Sequence, residues 1–146
     1  MGVDAPGGTS KGRMRLADFT DYGLRALMQV ARHPDEWVAV KVLAAELRVS
    51  GHHLTKIMQR LASAGVVETR RGAGGGVRLA RRADKIRLGD TVKALEQSYS
   101  MVECFKPGPC ACTLLPGCRL RTRLTRAEAA FLSELNQSTL ADISRP

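Results

Sequence analysis

The spacing of apolar residues divides the chain into helical stretches interrupted once by a short interval of strand character. From Asp18 to Arg32, Leu24, Leu27, Met28 and Ala31 recur at i, i+3, i+4 and i+7. This spacing marks one face of a helix, with Asp18 or Thr20 as the capping residue and His33-Pro34 as the stop. A second, shorter helix fits Val40 to Leu47. A third runs from Gly51 to Ala64, striped by Leu54, Ile57, Met58 and Leu61, capped by Ser50 and ended at Gly65. Only Arg48 to Ser50 separates these two. Helices joined by so tight a turn form a helix-turn-helix, whose second helix fits the major groove of DNA.

After Gly65 the period changes to two. Strands Val66 to Arg70 and Val77 to Ala80 flank the run Arg71-Gly72-Ala73-Gly74-Gly75-Gly76, which predicts a hairpin, or wing. Leu88, Val92 and Leu95 stripe a connecting helix within residues 88–103, and a cysteine-rich loop fills 104–118. Leu120, Leu124, Phe131 and Leu135 stripe a last long helix from about Cys118 to Asn136, within a segment 119–146 that ends in a tail. Residues 1–13 carry Gly, Pro and Ser with only isolated apolar positions and are expected to be a disordered tail. The expected fold is mainly α with a small β wing. It consists of a winged helix-turn-helix region over 14–87 and a long C-terminal helix for dimerisation.

Composition narrows the partner. At 146 residues the chain suits one domain, and with 44% hydrophobic but only 4% aromatic residues its core is largely aliphatic. The 23 Lys and Arg against 14 Asp and Glu give a net charge of +9, which calls for an anionic partner, nucleic acid or a membrane surface. No apolar run reaches the roughly 18 to 20 residues of a membrane span, and no signal-peptide pattern opens the chain, so a cytoplasmic protein without a membrane partner is expected. Arg70, Arg71, Arg78, Arg81, Arg82, Lys85 and Arg87 stand against Asp84 alone. That concentration on and after the wing points to double-stranded DNA.

On the third helix the face opposite the apolar stripe carries His52, His53, Thr55, Lys56, Gln59 and Arg60, next to Ser50. Residues near the N-terminus of such a helix reach base edges, which singles out His52, His53, Thr55 and Lys56. A merely solvated polar face is the plain alternative. In the wing, Arg70 and Arg71 supply phosphate contacts, while Gly74 and Gly75 let the backbone approach DNA, although an ordinary hairpin turn would use glycines as well. The glycine run lies between strands with no Lys-Ser or Lys-Thr after it, so it is not a nucleotide cradle. The three histidines fall on a helix end and a polar face, and no paired carboxylates or base-activated nucleophile stand out, so no enzyme is expected. The stripe on the last helix is longer than a lone domain needs. A homodimer is its economical use and implies an inverted-repeat operator, although packing within one chain would also cover it.

All four cysteines, Cys104, Cys110, Cys112 and Cys118, lie in one Pro- and Gly-rich segment. An iron-sulfur cluster tolerates such irregular spacing. Zinc usually takes a Cys-x-x-Cys knuckle, which is absent. A thiol switch remains open, and the expected compartment disfavours a stable disulfide.

The runs MRLADFTDYGLRAL, LTKIMQRLASAGVVETRRGAGGGVRLARRADKIRLGD and CTLLPGCRLR, between Met14 and Ile143, resemble the Rrf2 family of winged-helix regulators. The resemblance implies an iron-sulfur cluster held by three cysteines and by one ligand from the other subunit. Cys104 and Cys118 match the first and last positions, and Cys112 the middle one, with Cys110 as the alternative. Asp21 matches the acidic ligand that comes from the other subunit, with Arg25 beside it. Taken by themselves, Asp21 and Arg25 at i, i+4 are an ordinary surface pair stabilising by about 0.2 to 0.5 kcal/mol. Four irons (4Fe-4S) are implied, and two (2Fe-2S) remain possible.

Within the family, Phe19-Thr20-Asp21 and Cys118-Arg119-Leu120 match the nitric-oxide-responsive repressors. Family members of another type carry a ligand histidine three residues after the last cysteine, where this chain has Arg121. The expected function is therefore a DNA-binding transcriptional repressor whose cluster senses nitric oxide, cluster damage releasing the operator. An iron-responsive or redox-responsive cluster regulator is the alternative, and a structural zinc nucleic-acid-binding protein is the alternative of another class.

Overall fold

The computed structural model describes residues 14–145, and the expected tail over 1–13 lies outside them. Helix α1 spans Asp18–Ala31, α2 Val40–Leu47 and α3 Gly51–Ser63. Strands β1, Val67–Arg70, and β2, Gly76–Leu79, follow; then come α4, Leu88–Leu95, α5, Arg119–Leu135, and α6, Leu140–Ser144.

The first helix buries Gly23, Ala26, Leu27 and Val30 against the Leu54, Ile57, Met58 and Leu61 face of α3. A Cβ at Gly23 would stand 2.9 Å from a methyl of Leu95 and 3.2 Å from one of Ile57, so α1, α3 and α4 come together at a position that takes no side chain. The predicted cap of α1 is corrected. Its N-cap is Ala17, without a side-chain cap; Asp18 lies inside the helix and pairs with Arg15 at 2.7 Å, and Thr20 is fully buried. The Ala17 N–H is instead satisfied by Glu96 Oε1 at 2.9 Å, a partner 79 residues away that helical spacing could not indicate.

The tight turn between α2 and α3 forms as expected. Arg48 takes a left-handed conformation at φ 56°, and Ser50 Oγ accepts the His53 N–H at 3.1 Å, a cap worth about 1 kcal/mol. The strands pair antiparallel, Val67 opposite Leu79 and Arg70 opposite Gly76. Val38 exchanges backbone hydrogen bonds with Val77 at 2.9 and 2.8 Å, so the segment before α2 lies along the wing.

Helix α4 occupies the first half of the connecting segment 88–103. It ends at Leu95 and tightens into a 3-10 turn, Glu96–Ser98, where Arg60 donates to the Ala94 carbonyl O at 3.4 Å and to Ser98 Oγ at 2.9 Å. The expected C-terminal tail contains α6, whose five residues are too few for periodicity to reveal. A reciprocal cap between Thr139 and Asp142 starts it, Leu140 is buried, and α6 packs on α1. The Thr139 backbone N–H, and then its hydroxyl, hold the Asp142 carboxyl below the usual carboxylate range.

The core is drawn from α1 to α4, the wing, Ile86 and Leu140. Helix α5 contributes no buried residue. Among the described residues no helix is long and apolar enough to cross a membrane.

Candidate nucleic-acid interface and metal centre

The N-terminal half of α3 is open to solvent, with His52, Thr55, Lys56 and Gln59 exposed. Thr55 Oγ1 donates to the Gly51 carbonyl at 2.7 Å. Ser50 is exposed, but its hydroxyl oxygen is engaged as the helix cap. The other two residues of the predicted polar face turn inward. His53 is half-buried, its ring 6.1 Å from Phe19 and edge-on to Tyr22 at 6.0 Å. The Arg60 guanidinium lies 5.5 Å over the Phe19 ring while bonding the end of α4. Helical spacing assigned all six residues to one face; only the packing of α1 and α4 separates four outward side chains from two that join elements.

The wing divides its arginines in the same way. Arg71 is exposed and makes no side-chain hydrogen bond or ion pair among the described residues. Arg70 Nη2 donates to the Gly74 carbonyl at 2.7 Å, with its Cζ 4.6 Å over the Trp37 ring. Arg78 Cζ lies 4.3 Å over the same ring, and its Nε donates to Glu68 Oε1 at 2.7 Å. Gly74 is at φ 73° in open space, as a turn tip requires, whereas a Cβ at Gly75 would collide with the Arg70 carbonyl. Trp37 was not among the predicted site residues. As the chain's single tryptophan, followed directly by Val38, it carried no periodic signal.

The four cysteines are free thiols in a segment without regular structure beyond the 3-10 turn Glu103–Phe105. Cys104, Cys110 and Cys118 are half-buried and Cys112 is exposed. Cys118 is the N-cap of α5, and its Sγ accepts the Arg121 N–H at 3.5 Å. Arg121 lies 5.8 Å over the Phe105 ring and ties the loop to α5. Asp21, half-exposed on the first turn of α1, accepts Arg25 Nε at 3.0 Å and Nη2 at 2.9 Å. Among the described residues no three metal-ligating side chains converge within one chain. The donors nonetheless suit an iron-sulfur cluster chemically: they are soft, unbridged thiols on an irregular backbone with one at a helix N-terminus.

The outer face of α5 is uncovered, Leu120 being 65% and Phe131 36% exposed. The helix is fastened to α4 through Asn136, whose Oδ1 accepts the Asp90 N–H and whose Nδ2 donates to Asp90 Oδ1, both at 3.0 Å.

Residues 16–146 match the family described as Rrf2, iron-dependent transcriptional regulator. The chain is 43% identical over 131 residues, 89% of each protein, to the HTH-type transcriptional regulator NsrR of Geobacillus kaustophilus. It is 38% identical over the same length to NsrR of Bacillus subtilis, with 89% of this chain and 90% of that protein covered. Among solved structures it resembles CymR, the global cysteine regulator of B. subtilis, with TM-score 0.67 and 27% identity over 90% of this chain and 97% of that one. It also resembles IscR of T. potens, with TM-score 0.68 and 25% identity over 89% and 85%. With the winged helix-turn-helix in place and the match running through the cysteine loop to the end of the chain, this protein belongs to the Rrf2 family of transcriptional regulators, DNA-binding proteins rather than enzymes.

Proposed function

We propose that this chain is a cytoplasmic, homodimeric repressor of the NsrR type, which holds an iron-sulfur cluster, responds to nitric oxide and releases an inverted-repeat operator when the cluster is damaged. The observation that carries this reading is the joining of two features in one Rrf2 chain. Four unbridged cysteines sit in a single irregular loop, and the stem of that loop is bonded to the recognition helix.

Cys104, Cys112 and Cys118 would hold the cluster, with Cys110 as the alternative middle ligand and Asp21 of the partner subunit as the fourth; 4Fe-4S is the expected form and 2Fe-2S the alternative. When bound, the group would supply iron that can react with nitric oxide, the more readily where a carboxylate, a weaker ligand for it than a thiolate, would hold it. The remainder is the work of this chain's own residues. Ser98 lies six positions before Cys104, and Arg60 binds its hydroxyl from α3. Glu96, in the same turn, accepts the N–H that opens α1. A displaced loop thus pulls on α3 directly and on α1, against which α3 packs. Arg25 now occupies both oxygens of Asp21, so that carboxylate changes partners when it serves as a ligand.

On DNA, His52, Thr55, Lys56 and Gln59 face base edges, and Arg71 faces the backbone from the wing. Ser50, His53, Arg60 and Arg70 hold these elements in shape, while Gly74 and Gly75 form the turn. If roughly six to ten phosphates are contacted, affinity falls about 10³- to 10⁵-fold between 50 and 200 mM salt.

An iron-responsive regulator is the second reading, favoured by the iron dependence in the family's description. The test is an iron and acid-labile sulfide count on anaerobically prepared protein, followed by DNA-shift assays after brief nitric oxide or iron-chelator treatment. Release by nitric oxide with the chelated sample still bound is expected. The opposite pattern selects the iron-responsive reading, and sulfide-free protein that binds DNA regardless of either treatment rejects both and leaves structural zinc.

A further inference from the structure

We propose that Trp37 is a positioning residue of the DNA-binding wing: its ring carries the guanidinium groups of Arg70 and Arg78 and so fixes the turn from which Arg71 reaches the DNA backbone. This rests on the reading of the wing as a DNA contact and adds what holds that contact in shape.

A two-stranded hairpin is marginally stable by itself, and this one has a tip with Gly72 at φ 90° and Gly74 at φ 73°. Its order must come from outside the turn. Arg70 links the two parts: one nitrogen donates to the Gly74 carbonyl at 2.7 Å while the guanidinium lies 4.6 Å over Trp37. Arg78, 4.3 Å over the same ring, is also held by Glu68. The negative π-face of the indole and the Glu68 carboxylate offset the repulsion of two cations gathered at one place.

Trp37 is itself fixed, because Val38 exchanges both backbone hydrogen bonds with Val77. Gly76 has no room for a Cβ against the Val38 carbonyl, so the segment lies directly on the strand. Arg70 closes β1, and the residue after it is exposed and lies outside the cluster on Trp37. Arg71 is that residue. An unpaired guanidinium on a braced, glycine-lined tip suits a phosphate or a narrow minor groove.

The test uses the full-length protein and a fluorescently labelled mixed-sequence DNA duplex, titrated by anisotropy across a salt series. Arg71→Ala should weaken binding and lower the salt slope by about one. Trp37→Leu should weaken binding several-fold, up to about tenfold, with the slope retained because every cation remains. Trp37→Phe, which keeps a π-face, should recover most of the loss. In the free protein, acrylamide quenching of the single tryptophan should rise when Arg70 and Arg78 are both replaced by Ala. If Trp37→Leu binds like the parent while Arg71→Ala is weakened, the wing contacts DNA without help from Trp37 and the proposal is overturned. If Arg71→Ala changes neither affinity nor slope, the wing reading fails and takes the proposal with it.

Discussion

The two halves of this molecule are built on opposite terms. From α1 through α4, with α6 docked on α1, apolar side chains close on one another, and Leu27, Leu43, Leu54, Ile57 and Leu95 are completely buried. The cysteine loop and α5 bury no residue at all. Their apolar groups, Leu114 at 69% and Leu120 at 65% exposure, remain open to solvent. The first half can therefore be ordered by its own sequence. The second is fastened to the first through Asn136 and Asp90, and in the proposed function it is completed by a cluster and a second copy of the chain. A recognition surface has to be rigid before DNA arrives, whereas a sensing element must be able to change, and folding free energies spread over one chain provide both.

The contrast would be broken most decisively at the cysteines. Cys118→Ala should abolish the visible chromophore and nearly all bound iron and sulfide, and leave the circular dichroism of the helices close to that of the metal-free parent. A retained chromophore would overturn the assignment of Cys118 as a ligand. Next in size is the uncovered face of α5. Phe131→Glu should convert a dimer into a monomer at micromolar concentration in sedimentation, since burying a phenylalanine contributes about 1.5 to 3 kcal/mol per protomer. An unchanged sedimentation coefficient would assign that face to no interface.

In the packed half, Leu27→Ala should cost about 2 to 5 kcal/mol in urea unfolding of the metal-free protein, because the surrounding core closes only partly on the space left behind. A loss under about 1 kcal/mol would contradict a core centred on α1 and α3. The smallest effect belongs to Asp142. Its carboxyl is held below the ordinary range by the Thr139 N–H and hydroxyl, so its contribution is present above the unfolded-state pKa and disappears as the pH falls through the lower folded value. Asp142→Asn should therefore be slightly less stable than the parent near neutrality and equal to it in strong acid. A difference that grows on acidification would reverse the sign of the linkage.

What the sequence made legible follows the same division. The limits of α1, α2 and α3, the Ser50 cap and the existence of the hairpin could be read because each is dictated by neighbours a few positions apart. The capping partner of Ala17 could not, because Glu96 arrives from the far end of α4. For the same reason the inward turn of His53 and Arg60 was hidden: spacing assigns a face, but only the arrival of Phe19 and Ser98 shows that part of this face is covered. Trp37 escaped notice because its importance lies in two arginines from a different element. The cysteine loop was the reverse case. The clustering of its four thiols pointed to a ligand or redox role while leaving cluster, zinc and thiol switch open, and among the described residues no three metal-ligating side chains converge within one chain.

The central claim is that the recognition half is ordered by its own packing and the sensing half by what it holds. Hydrogen exchange on the iron-loaded protein and on the same protein stripped of metal tests this most directly. The account predicts that amides of the cysteine loop, residues 104–118, are protected only with metal bound, while those of Leu54, Ile57 and Leu61 are equally protected in both. A loop as protected without metal as with it, or a recognition helix that loses protection along with the loop, would contradict it.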